Sequence, residues 1–394
     1  MSRLLISRNP ALRRLVDEGY EVEVRANLLL VHSIPYVTPD RQVALGVLVS
    51  ELTMATTDLV DRPGTHQIHF IGQHPCRADG SDLVQIRHSS SEFKLAEGIT
   101  AQHYFSHKPR TGYADYYEKV TTYANVISDQ ARAIDPKADA RTFKVIEPAD
   151  ESCIFQYEDT ASSRAGIQRI AGRFKPLRIA IVGVGGTGAY VLDLVSKTPA
   201  VEIHLYDGDL FRPHNAFRTP GAASRVTLDL RQSKVAYLHG IYSAMHKGIV
   251  AHEVMITEAN VQELARYDYV FLCVDRGTVR QLILEHLARE RVTVIDTGMG
   301  VNMTDDQEAV FGTCRVTAST PQTRAEALTC IPKVDRDEEL YGSNIQIADL
   351  NCLNAALAVV KWKRLCGFYV DDRAEFDTTY NVNLNQLSRG EPPQ

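Results

Sequence analysis

Five charged side chains, Asp207, Asp209, Arg218, Lys234 and Asp275, mark out the chemistry available to this chain, with Asn215 among them. They stand in the stretches YDGD, HNAFR, RQSK and CVD, downstream of the glycine turn Gly183-Val184-Gly185-Gly186-Thr187-Gly188. Gly183, Gly185, Gly186 and Gly188 let a backbone bend sharply and approach phosphate oxygens at the positive end of a helix. A carboxylate about twenty residues after such a turn, here Asp207, can accept hydrogen bonds from a ribose. At the turn alone, a nicotinamide dehydrogenase and an ATP-using enzyme explain the chain equally well. The later charges separate them. Two fixed cations and extra carboxylates suit a triphosphate with Mg2+, because nucleotidyl transfer moves charge onto a leaving pyrophosphate; hydride transfer needs neither.

These residues must be held at strand ends. The runs LRIAIVGVGGTG, AVEIHLYDGD, GIVAHEVMI, YDYVFLCVD and RVTVIDTGMG are short apolar strands separated by helical or loop segments. That rhythm predicts an α/β, Rossmann-like architecture, a largely parallel sheet flanked by helices, over residues 177–394. NIQIADLNCLNAALAVVKWKRLCGFY reads as a long helix with Trp362 as a packing residue, and FDTTYNVNLNQL as a last strand or hairpin. Residues 1–150 read as a smaller α/β domain, with strands in YEVEVRANLLLVHSIPYV, QVALGVLVSEL and THQIHFIGQHPC and a helix with an aromatic face in GYADYYEKVTTYANVISDQARAI. Residues 151–176 read as a connector and helical approach.

Composition sets the outer bounds. The chain has 394 residues, 44% hydrophobic and 23% charged, with a net charge of -6, which fits a soluble multi-core protein and gives no global attraction to nucleic acid. The arginine-interrupted N-terminus is no signal peptide, and no apolar run is long enough to cross a membrane, so a cytoplasmic location is expected. Seven cysteines without a CxxC pair match neither a secreted disulfide framework nor a zinc knuckle.

The ordered series GxGGTG, DGD, NxxR, a later lysine and CVDxxxxR, followed by VIDTGMG, resembles the adenylation domain of the ThiF/MoeB and ubiquitin-activating-enzyme family over roughly residues 164 to 385. The resemblance implies activation by ATP of the C-terminal glycine carboxylate of a ubiquitin-like or sulfur-carrier protein, giving an acyl-adenylate and pyrophosphate. It assigns Asp207 to the ribose, Arg218 and Lys234 to the phosphates and transition state, Asn215 to a supporting role and Asp275 to Mg2+, with Asp209 orienting the loop or helping Asp275. Arg280 would brace the loop through a salt bridge. Arg164, with Arg169 as rival, would reach the nucleotide, often across a homodimer. Two departures matter: Thr219 and Pro220 follow the motif arginine where the family has glutamine, and the absence of CxxC pairs predicts no structural zinc.

Conjugation would add a thioester-forming cysteine and a conjugating enzyme as partner. Cys330, in the polar stretch RAEALTCIPKVDRDEE, is the acceptor expected on a crossover loop, whereas Cys273 and Cys314 read as strand residues and Cys352 and Cys366 as part of the terminal helix. Other uses of the same pocket stay open: sulfur-carrier activation, a small-molecule or RNA dehydratase of the superfamily, a nicotinamide-dependent oxidoreductase or a nucleotide-regulated adaptor. In the first domain, His66, His69, His74 and Cys76 offer metal-ligand atoms, but no acidic ligand is identifiable, so packed or surface histidines are expected. Tyr104, His107, Lys108, Arg110, Tyr113, Tyr116 and Tyr117 read either as a surface for the carrier or conjugating enzyme or as a helix folded on its own sheet.

Overall fold

The computed structural model describes residues 2–56, 59–144, 153–157, 159–333 and 345–390. Two compact units emerge, Met1–Glu151 with Tyr157–Gln168, and Ser152–Gln156 with Arg169–Gln394. No helix among the described residues is long and apolar enough to cross a membrane.

The first unit is an antiparallel six-stranded sheet, in the order β1-β2-β3-β4-β6-β5. Its strands are β1 (Glu21–Arg25), β2 (Leu28–Val37), β3 (Val43–Glu51), β4 (Gln67–Ile71), β5 (Arg87–Ala96) and β6 (Ile99–Ser106). The β5–β6 hairpin escapes sequence reading because β5, RHSSSEFKLA, lies at an edge and is polar over its first six residues, with only Phe93 and Leu95 alternating at its end. The helix Tyr116–Arg132 starts at Asp115, whose side chain accepts the Glu118 N–H, and buries Val120, Tyr123, Ala124 and Ile127.

The aromatic stretch is mostly core rather than a docking surface. Tyr113 and Tyr116 are buried, Tyr104 stacks on His69 within the sheet, and the Tyr117 hydroxyl donates to Glu18 at 2.8 Å. Lys108 and Arg110 stay exposed. Lys119 is fully buried, its ammonium donating to Ser50 Oγ and Thr65 O at 2.9 Å, and burial lowers its pKa to about 8.

The second unit is built on an eight-stranded sheet in the order β14-β13-β12-β11-β10-β7-β8-β9. The strands are β7 (Arg178–Val182), β8 (Glu202–Tyr206), β9 (Ile249–His252), β10 (Tyr269–Leu272), β11 (Thr293–Met303), β12 (Val310–Ser319), β13 (Asp377–Asn381) and β14 (Gln386–Gly390). From β9 to β11 every pairing is parallel, as the sequence rhythm predicts. β12, β13 and β14 extend the sheet antiparallel, and the C-terminal FDTTYNVNLNQL forms the β13–β14 hairpin.

Alternation along β7 decides the two faces. Ile179 and Ile181 pack with Leu192, Val195, Leu238, Val359 and Trp362, under the helices Gly186–Val195, Lys234–Tyr242 and Ala348–Leu365. Ala180 and Val182 pack with Ile283, Leu284 and Ile331 on the opposite face. Trp362 is fully buried against Phe174, Tyr269 and Phe271, the packing role read from sequence. The chain runs outward from β7 to β8 and β9, then returns to β10 on the other side of β7. That reversal opens a crevice at the carboxyl ends of the strands, where ligands bind in open α/β sheets.

Candidate functional site

The glycine turn joins β7 to the helix Gly186–Val195, and its glycines serve different ends. Gly183 has φ +84°, and a Cβ there would lie 2.8 Å from the Cys273 carbonyl oxygen. At Gly186 a Cβ would meet the Asn351 side chain at 2.4 Å, and at Gly188 the Gly183 carbonyl oxygen at 1.9 Å. These three are required by the fold itself. Gly185 meets nothing within 4 Å, so its bareness is turned to open space. It is also the residue preceding the helix, whose start has neither a side-chain cap nor an acid in its first turn, leaving its first amides available to an anion.

Asp207, just beyond β8, is buried and ties two loops together. Its Oδ2 accepts the Val184 N–H of the glycine turn at 3.0 Å, and its Oδ1 accepts the Asp209 N–H at 2.9 Å. The sequence sends this carboxylate to a ribose; two of its roughly four acceptor sites are already used on backbone. Asp209 is the freer acid, with its side chain 57% exposed. Lys234, first residue of its helix, is buried with its Nζ 3.3 Å from Asp207 and 2.7 Å from Asp209. The lysine expected at a phosphate is thus held at the end of the glycine turn by two carboxylates.

Asn215 lies in the one-turn helix Pro213–Ala216, almost wholly buried. Its Oδ1 accepts the Arg212 N–H at 2.9 Å, while its Nδ2 is buried without a partner. Thr219, the departure from the family pattern, is buried and donates through Oγ1 to the Asn215 carbonyl at 3.0 Å, which closes this turn locally. Arg218 is half-buried and its Nε has no acceptor. Burial lowers its pKa, against an opposing attraction from Asp275. Two buried donors without acceptors in a loop of this kind are what an anionic ligand would satisfy.

Asp275 is exposed on the loop after β10. Arg280, one turn into the helix Gly277–His286, is buried, donating from Nε to Asp296 Oδ1 at 2.8 Å and from Nη2 to the Val274 carbonyl. It thereby ties the Asp275 loop, through the Val274 carbonyl, to Asp296 of β11. Sequence reasoning gave Asp296 of VIDTGMG no role; it is fully buried in β11 and pairs with both Arg280 and Arg315. The signal was present, since a carboxylate inside an apolar strand requires charged partners. Asn351 and Asn354 were also missed. Asn351 accepts from Thr187 Oγ1 at 2.8 Å, and Asn354 donates to the Gly298 carbonyl at 3.0 Å. On a long helix, two buried asparagines one turn apart are the cue.

Cys330 ends the helix Arg324–Cys330, half-buried, with Sγ 3.8 Å from Thr329 Oγ1. It therefore stands on a helix rather than on the expected crossover loop, because Ala327, Leu328 and Ile331 pack into the core beneath it. Residues 334–344, the continuation of that segment, lie outside the described residues. Burial pushes the Cys273 thiol up to about 12 and the Cys314 and Cys366 thiols up to about 11, which disfavours the nucleophilic thiolate. Arg164 belongs to the helix Thr160–Ala165 of the first unit, and its side chain lies outside the described residues. Arg169 is exposed in the helix Gln168–Ala171.

Comparison with known proteins gives two family matches. Residues 10–160 match a domain of unknown function, DUF6791, and residues 164–343 match the ThiF family. No curated protein matches the chain. Among solved structures, PaaA is similar at 14% identity over 57% of this chain and 75% of its own, with a TM-score of 0.45. E. coli MccB with ATP is similar at 12% identity over 59% and 72%, TM-score 0.47, and E. coli MccB with MccA-N7isoASN at 12% over 57% and 67%, TM-score 0.45. The glycine turn, the charged strand ends and the family match agree: residues 164–343 of this chain are a ThiF family domain.

Proposed function

We propose that this protein is an ATP-dependent adenylyltransferase that activates the C-terminal glycine of a ubiquitin-like or sulfur-carrier protein. The carrier carboxylate attacks the α-phosphorus of ATP, the bond to the leaving oxygen of pyrophosphate breaks, and an acyl-adenylate remains. The observation that carries this reading is the pair of buried donors without acceptors, Arg218 Nε and Asn215 Nδ2, in a ThiF family domain whose glycine-turn helix is uncapped. Unpaired buried donors of this kind are costly until an anion meets them.

In this reading the amides around Gly185 receive phosphate oxygens, and Asp209 with the remaining acceptor capacity of Asp207 receives the ribose. Arg218 offsets charge growing on pyrophosphate. Lys234, its position fixed by two carboxylates, brings its positive charge towards the phosphates. Asp275, exposed on the braced loop, would hold Mg2+, which when bound supplies charge neutralisation to the phosphates. In this reading the protein acts as a homodimer.

The second step passes the acyl group to a thiol: Cys330 Sγ attacks the acyl carbon, AMP leaves and the thiol proton is released, so that a conjugating enzyme can take the carrier onward. Adenylation without this step is the simpler alternative, favoured by the helical, half-buried setting of Cys330.

Carrier-dependent exchange of labelled pyrophosphate into ATP tests the first step. Absence of exchange with ubiquitin-like and sulfur-carrier proteins, together with absence of Mg-ATP binding, refutes it. Cys330→Ala should preserve exchange and abolish a thiol-sensitive carrier adduct; an adduct that persists excludes Cys330 as the acceptor.

A further inference from the structure

The first unit contains a side-chain cluster unconnected with nucleotide chemistry. In sequence, His74 and Cys76 lacked an acidic companion; the fold supplies Asp82. A tight turn folds the chain back on itself, with the Arg77 N–H donating to Ser81 O at 2.7 Å and the Gly80 N–H to Arg77 O at 2.9 Å. Gly80, at φ +87°, provides the left-handed residue this turn needs. Bridges pair Cys76 with Asp82 on one side and with Val37 on the other, so the cysteine is pinned in the middle of a small ladder.

The ligand atoms of His74, Cys76 and Asp82 lie within 4.8 Å of one another. Cys76 is buried, and both ring nitrogens of His74 are buried with no hydrogen-bond partner. The nearest charge, Asp82 Oδ1, is 3.9 Å from Nδ1, too far for a hydrogen bond. The ring is fixed by edge contacts with His103 and Phe105, at centroid separations of 5.2 and 6.0 Å. Arg87 holds the other oxygen of Asp82 at 2.8 Å, leaving Oδ1 to the cluster. Of the neighbouring histidines, His66 Nε2 bonds Ser106 Oγ and His103 Nδ1 bonds Ser90 Oγ, while His69 stacks on Tyr104 with its Nδ1 buried and unpartnered, outside the cluster of ligand atoms.

We infer that His74, Cys76 and Asp82 form a binding site for a thiophilic divalent metal of the zinc class. One nitrogen, one sulfur and one carboxylate oxygen are the donor set such ions take. Ligand lengths of about 2.0–2.3 Å require atoms roughly 3.4–3.6 Å apart, which a closure of about 1 Å reaches. Binding converts the Cys76 thiol to a metal thiolate and releases one proton, and a water completes the tetrahedron. Arg87 then acts as the outer partner that orients the carboxylate. The metal satisfies a His74 nitrogen that the fold otherwise leaves unpaired.

The full chain, stripped with chelator, should bind Co2+ with a thiolate-to-cobalt charge-transfer band at one ion per chain and retain one Zn2+ through dialysis. Cys76→Ala should abolish the band, and Asp82→Asn should weaken Zn2+ binding by at least about tenfold. Asp82 has a half-exposed side chain and stands on a surface turn, so its replacement keeps the test valid should Cys76→Ala misfold. A band that survives Cys76→Ala, Zn2+ affinity unchanged in Asp82→Asn, or a native chain that retains no zinc overturns the inference.

Discussion

Replacing Gly185 and Gly188 separately by alanine tests the division of labour within the glycine turn. A Cβ at Gly188 would stand 1.9 Å from a backbone oxygen that cannot rotate away, so the turn or the helix must shift. Overpacking of this kind costs about 1–3 kcal/mol. With about 2–4 °C lost per kcal/mol in a domain of this size, the second unit should melt roughly 2–12 °C lower. At Gly185 an added Cβ meets nothing within 4 Å, so this substitution should carry none of that overpacking cost. The same methyl group would occupy space above the helix amides, and ATP affinity should fall at least about tenfold, or 1.4 kcal/mol. Thermal denaturation and calorimetric titration with Mg-ATP read both quantities. Unchanged ATP affinity in Gly185→Ala refutes the phosphate cradle, and native stability in Gly188→Ala refutes the packing account.

Asp296→Asn leaves the buried Arg280 and the part-buried Arg315 facing a neutral amide and should destabilise the second unit by about 3–5 kcal/mol in urea unfolding. Arg218→Ala removes a half-buried donor without acceptor, so folding should be unaffected while pyrophosphate exchange falls by about 100- to 1000-fold. Glu375 gives a pH test: burial alone would raise its pKa, but a hydrogen bond from Arg364 and the charge of Lys361 bring it from 4.5 down to about 2. A depressed folded-state value means that its contribution is complete above pH 4.5 and is lost as pH falls towards 2. The urea midpoint should therefore drop across that window, by an amount equivalent to about 2–3 kcal/mol, and Glu375→Gln should flatten the drop.

Much of the second unit could be read directly because its signals are local. Five apolar runs ending in Gly183, Asp207, Asp275 and their neighbours become parallel strands, and the residues after them fall at one end of the sheet. Less could be read where one side chain depends on another far away. Tyr113 and Tyr116 read equally as a recognition surface or as packing in a string of letters and are core in three dimensions, because the helix carrying Tyr116 presses its aromatic face on the antiparallel sheet. β5 gave too short an alternation to read, because its first six residues are polar and only Phe93 and Leu95 alternate with Glu92 and Lys94 at its end. Cys330 looked mobile by composition, yet apolar residues spaced along its short helix anchor it.

The sequence by itself determined the class of fold and the inventory of charges, since strand periodicity and the glycine turn are properties of neighbouring residues. Tertiary structure decided the use of those charges. Lys234 meets Asp207 and Asp209 across 27 and 25 positions, Asp296 meets Arg280 and Arg315 from a different element each time, and three of the four turn glycines answer to packing. Such pairings are fixed by which strand ends and helices the sheet brings together, and charge acquires direction only when its partner is in place.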